Sequence, residues 1–158
     1  MSEIGNKCED VRYFGNEFED YLDTYGLDKP LLGYGHRRIP NNGDAPFRLD
    51  GVDYKIEAGR DVYPISAGKV VYTGSNELLG KFVVVDHGFG LKTWYCHLSD
   101  ILTTTGSIIT PSTDIIGKTG RTGYINHDGV YLITTIMDVP VSPYSLQDNG
   151  LTLPTPNE

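Results

Sequence analysis

Few side chains in this 158-residue chain are equipped for chemistry: four histidines (His36, His87, His97, His127), two cysteines (Cys8, Cys96) and a short acidic stretch with Asp50, Asp53 and Glu57. A zinc site asks for three or four nitrogen, sulfur or oxygen donors converging in a tetrahedron. No two histidines stand in a His-x-His or His-x-x-x-His spacing, so no local element brings two ligands together. The cysteines form neither a metal motif nor a disulfide framework and read as two free thiols, with Cys96 in the core. A serine nucleophile finds no Gly-x-Ser-x-Gly elbow, and Ser99 has no evident base besides His97, two residues before it. For glycoside chemistry Asp50, Asp53 and Glu57 are neighbours in sequence only. The glycine-rich loop 117–123 lacks the spacing of a phosphate loop, and no helix pattern follows it to offer an N-terminus to a phosphate.

His97 stands out because of the element that must position it. Residues 92–99, Lys-Thr-Trp-Tyr-Cys-His-Leu-Ser, alternate with a period of two. A regular strand would put Tyr95 and His97 on one face and Cys96 and Leu98 on the other. The apolar run 81–86 precedes it across His87-Gly88-Phe89-Gly90, which reads as a β-hairpin with a glycine-rich turn. That reading leaves His87 exposed in the turn. His127, in Asn126-His127-Asp128-Gly129, reads as loop decoration.

The remaining pattern is that of an all-β chain. Nineteen glycines, nine prolines and eleven tyrosines favour turns and strands. Short alternating runs at 49–55, 61–66, 68–73, 108–116 and 130–137 are separated by turn residues, and the stretch from Pro140 on reads as irregular. The one helical signal lies over 16–27, where Phe14, Phe18, Tyr21, Leu22 and Tyr25 recur at helical spacing before Gly26. The formal net charge of -8 argues against nucleic acid or an anionic membrane as the main partner. No apolar run spans a bilayer, and residues 1–6 show no secretory leader pattern. The implied division is a helical extension over 1–30, a β-domain over 31–145 and an irregular tail over 146–158.

Several segments together resemble the lysostaphin-type (LytM-type) zinc endopeptidases that cut peptidoglycan cross-links. Gly33-Tyr34-Gly35-His36-Arg37-Arg38-Ile39-Pro40 looks like the family's Gly-Phe-Gly-x-Arg-x-His-Pro entry. Leu49-Asp50-Gly51-Val52-Asp53-Tyr54 looks like its His-x-Gly-x-Asp motif. Residues 61–71, 83–88, 93–99 and 115–123 match its strand pair, its central hairpin and its Ile-Gly-x-x-Gly-x-Thr-Gly loop in order and spacing. The resemblance covers roughly 32–143. It implies a mainly antiparallel all-β fold, a LytM-like sandwich or open barrel with a central antiparallel sheet, to which the short N-terminal helix is added.

Carried over by position, the resemblance also implies a damaged site. The family's zinc ligands fall on Leu49, Asp53 and Ile133, and its catalytic histidines on His97 and Tyr131. Leucine and isoleucine carry no donor atom, so only Asp53 of the three ligands and His97 of the catalytic pair are retained. The reading is a catalytically inactive peptidase-like domain without a zinc cofactor, His97 being a remnant. It would bind a peptidoglycan peptide or a protein partner, as a scaffold or regulator in cell-envelope or phage-virion assembly. Tyr34, Tyr95, Tyr131, Asp53 and Arg48 would line its groove, and the Arg48 guanidinium would neutralise Asp53 in place of the metal. The alternative is an active metalloendopeptidase whose zinc site is rebuilt with His36 or His127. The family suggests the cell envelope, the exterior or a virion as location; the sequence pattern adds no export signal.

Overall fold

A computed structural model describes Phe14, residues 17–27, Pro30 and residues 50–143, together with the backbone of 37–38 and 47–48. The helix α1 (Glu17–Thr24) is followed by β1 (Arg37–Arg38), β2 (Phe47–Arg48), β3 (Gly51–Lys55), β4 (Asp61–Val62), β5 (Gly68–Asn76) and β6 (Gly80–Gly88). Then come β7 (Leu91–Leu98), β8 (Asp100–Ile101), β9 (Ile108–Ile109), β10 (Gly117–Lys118), β11 (Gly129–Ile136) and β12 (Val139–Val141). All described pairings are antiparallel. The central sheet runs β12-β11-β7-β6-β5-β9, and β3 shares the outer edge of β11 with β12. A smaller sheet runs β4-β10-β8, and β1 pairs with β2.

Alternation along the central strands sorts side chains into two apolar layers. Val52, Tyr54, Val83, Val85, Tyr95, Val130 and Leu132 lie in one, which also takes Phe14, Phe18, Tyr21, Leu22 and Tyr25 from the helical segment. Phe82, Val84, Cys96, Tyr131 and Ile133 form the other. The helix therefore closes the main core. It stops as its sequence predicts: Gly26 takes φ +68°, Leu27 N–H donates to Leu22 O at 2.9 Å and Gly26 N–H to Asp23 O at 3.1 Å. These are the two bonds of a glycine-terminated helix end. The Tyr25 hydroxyl ties the helix to β4, donating to Asp61 O at 2.8 Å.

Four expectations change. The run 61–66 is a strand only at Asp61–Val62. The run 108–116 is a strand only at Ile108–Ile109; the Asp114 carboxylate accepts Thr110 N–H and Oγ1–H at 2.8 and 3.1 Å and folds the chain into a turn. Pro140 lies inside β12 instead of opening an irregular stretch; at an edge strand its missing N–H is tolerated. His87 is not exposed but 8% accessible, because β6 continues to Gly88 and the turn comes two residues later than expected. Its Nδ1–H donates to Ala67 O at 2.8 Å. Its Nε2 lies 2.8 Å from Thr93 Oγ1, which is 2.6 Å from the Tyr95 hydroxyl. The tail at 146–158 lies outside the described residues.

Candidate functional site

The strand carrying His97 does not stay regular. β6 and β7 are in register at Lys81↔Leu98 and again at Val83↔Tyr95, so Cys96 and His97 together face Phe82. Two residues opposite one is a β-bulge, and His97 takes φ +66° to make it. The extra residue exchanges the expected faces of His97 and Leu98. Tyr95 and Leu98 point into the helix-side core, whereas Cys96 lies in the other layer and His97 stacks on Tyr131 with ring centroids 5.8 Å apart. The bulge thus moves His97 from the Tyr95 face to the face of Tyr131.

Register assembles the rest of that face. β3 and β11 pair Asp53 with Tyr131 and Gly51 with Ile133, and β7 pairs Cys96 with Tyr131. Asp53, Cys96, His97, Tyr131 and Ile133 therefore converge from three strands. Gly51 is required there, since a Cβ would lie 2.0 Å from Leu132 O. The loop before β11 completes the group. Gly120 and Gly129 bridge across its base, and His127 is held by its Nδ1–H donating to Asp128 O at 3.0 Å. Its Nε2 then lies 2.9 Å from Asp53 Oδ2. Asp53 is fully buried and the His127 side chain is 9% accessible.

This contact fixes the electrostatics of the site. A carbonyl oxygen only accepts, so Nδ1 of His127 carries a proton. The contact between Nε2 and Oδ2 holds one further proton, giving either an imidazolium–carboxylate pair or a neutral imidazole with a carboxylic acid. Either way the unit is neutral overall, which is what a carboxylate needs at zero exposure. The expected neutraliser, Arg48, has its side chain outside the described residues; among the described residues His127 is the side chain that meets the Asp53 carboxylate. His127 is accordingly no loop decoration.

The neighbours are poor in chemistry. Burial, and secondarily the Asp53 charge, pushes the Cys96 thiol up, so it is neither a ready nucleophile nor a ready soft ligand. Burial likewise raises the Tyr131 phenol, against hydrogen bonding with the backbone of Asp50 and Gly51. His97 donates Nδ1–H to Thr122 O at 2.7 Å. Tyr95 is a core residue at 0% accessibility, its hydroxyl accepting Ile65 N–H at 2.9 Å, and lines no groove. Tyr131, Asp53 and His97 come together, but all three are buried. Tyr34, His36 and Leu49 lie outside the described residues. Among the described residues no three His, Cys, Asp or Glu side chains are grouped to hold a metal ion.

The profile of Peptidase family M23 matches residues 48–143. Peptidoglycan DD-endopeptidase ShyA of Vibrio cholerae is 31% identical over 154 residues, covering 88% of this chain and 35% of that protein. For ShyB of the same organism the shares are 72% and 29% at 28% identity, so the chain spans about a third of the length of these relatives. The catalytic domain of lysostaphin from Staphylococcus simulans superposes with a TM-score of 0.63 at 27% identity, over 82% of this chain and 92% of that one. A chain of the SpoIIQ–SpoIIIAH pore-forming complex gives 0.64 at 25% identity, over 73% and 74%.

Proposed function

The chain belongs to Peptidase family M23, and we propose that it is a non-hydrolysing member, a peptidase-fold domain that binds a cell-wall peptide or a protein partner. The observation that carries this reading is the Asp53–His127 contact at 2.9 Å. Of the ligand positions that the family resemblance implies, Leu49 and Ile133 offer no donor, and the retained carboxylate is already neutralised within the chain. The donor set therefore does not fit a tetrahedral zinc site. Without that ion, neither a water of lowered pKa nor a polarised amide carbonyl is available in the manner of such enzymes. Relatives that act on peptidoglycan support a cell-wall peptide as the ligand class, and a structural neighbour from a two-protein complex supports a protein partner. Tyr34 and Arg48 remain proposed contacts, together with Tyr131, Asp53 and His97.

The test is a zinc determination on the purified protein, together with its digestion of and co-sedimentation with purified cell-wall sacculi. The expected result is zinc far below one equivalent, no released fragments, and sedimentation weakened in folded Asp53→Ala or His97→Ala variants. One equivalent of zinc with peptidoglycan cleavage would overturn the proposal. It would establish instead a rebuilt site, a reading that the proximity of two donor-capable side chains, Asp53 and His127, keeps specific.

A further inference from the structure

Two neighbouring hairpin turns carry their bulky residues where the backbone disfavours them. The β6–β7 turn is Phe89-Gly90, with φ +52° and +83°; the β11–β12 turn is Met137-Asp138, with φ +51° and +67°. Left-handed conformation at both central residues is the geometry of a two-residue turn that prefers Asn-Gly or Asp-Gly. Phenylalanine and methionine in the first position are strained there. They are also exposed: Phe89 is 66% accessible, Met137 63% and the following Val139 60%. The turns touch, since Met137 N–H donates to Gly90 O at 3.0 Å and the Met137 sulfur lies over Gly90, 2.7 Å from where a Cβ would be. Neither strain nor exposed apolar surface serves the isolated domain.

We infer that these paired turn tips form a self-complementary surface through which two copies of this chain associate. The charges beside the apolar patch carry the choice of occupant. Lys92 and Asp138 flank it as an ion pair within the chain, Nζ donating to Oδ1 at 3.1 Å, and the Asp138 side chain stays 82% accessible, open to a second cation. In a two-fold contact each surface meets its own copy, so residue i meets j and j meets i. A patch with one cation and one anion beside an apolar centre satisfies that rule, with Asp138 of each copy facing Lys92 of the other. A lipid surface is disfavoured, because Asp138 sits between Met137 and Val139 and would enter the apolar boundary with them. The three side chains expose on the order of 350 Å² per copy. Two such patches fall below the roughly 1,200–2,000 Å² of a stable dimer, and each copy carries a net charge of -8. The association is therefore weak and concentration-dependent.

Sedimentation velocity over a dilution series tests this. Wild-type protein is expected to move from monomer toward dimer at high concentration. A Phe89→Asn/Met137→Asn variant is expected to weaken the association at least about tenfold while its melting temperature rises, since asparagine suits both turns. Lys92→Glu and Asp138→Lys variants are expected to be monomeric alone and to associate when mixed, because only the mixture pairs opposite charges on both sides of the two-fold. A wild-type chain that stays monomeric at every concentration overturns the inference. So does a double asparagine variant that associates normally or melts lower, charge variants that fail to rescue one another, or saturable wild-type binding to phosphatidylcholine vesicles.

Discussion

Replacing His127 by alanine removes the counterpart of a carboxylate that has no exposure at all. Breaking a buried ion pair from one side costs about 3–5 kcal/mol, because the remaining charge stays desolvated. The 9% accessibility of the His127 side chain admits some water once the ring is gone, which places His127→Ala near the lower end, at about 3 kcal/mol. Asp53→Ala is milder, at about 2 kcal/mol, since the surviving imidazole keeps Asp128 O as an acceptor and can give up its second proton. The double alanine variant removes both groups and leaves mainly a cavity, so its cost of about 3 kcal/mol falls short of the sum and the coupling is about 2 kcal/mol. Equilibrium urea unfolding followed by circular dichroism reads these values from the midpoints, provided the slopes stay constant. In a chain of this size a loss of about 3 kcal/mol also lowers the melting temperature by roughly 6–12 °C. A cost below about 1 kcal/mol for His127→Ala, or single costs that simply add in the double variant, would refute the assignment of the pair as the neutraliser of the site.

Burial raises the phenols of Tyr21, Tyr95 and Tyr131. Their contribution to stability is full below the unfolded tyrosine pKa near 10 and is lost above it, so alkaline titration should show phenolate absorbance from these rings appearing together with unfolding. Tyr95→Phe removes the acceptor of Ile65 N–H and the partner of Thr93 in the core; it is expected to cost about 1–3 kcal/mol in urea unfolding. Gly123→Ala forces a side chain into φ +82° and against Gly80 N at 2.3 Å; the expected loss is more than about 1 kcal/mol, with the His97 ring resonances shifted in NMR spectra. In a Cys8→Ser background, Cys96 is expected to react with a thiol reagent only as fast as the protein unfolds, given its complete burial.

The paired turns also account for a feature that composition alone does not. Phe89 and Met137 read as ordinary apolar residues near strand ends, and only their φ values show that they occupy positions suited to asparagine or glycine. Local preference and fold disagree there, and such disagreements are expected at surfaces kept for function.

What the sequence determined by itself is the part encoded in short-range pattern. The apolar run 81–86 and the alternation over 92–99 specify the central hairpin, Gly26 ends the helix, and the order of motifs from 33 to 123 specifies the family. What only the tertiary structure decided is the part that depends on register and on one-residue irregularities. The bulge at Cys96–His97 exchanges the faces that strict alternation assigns to His97 and Leu98, sending Leu98 to the core and His97 to Tyr131. His87 turns inward because β6 runs two residues past the point where glycine content suggested a turn. His127 and Asp53 are 74 positions apart, so no spacing rule links them. The pairing of β3 with β11 and the glycine bridge at the base of the preceding loop bring them within hydrogen-bond distance. Period and composition are local quantities, whereas the partner of a buried charge is set by which strands lie side by side.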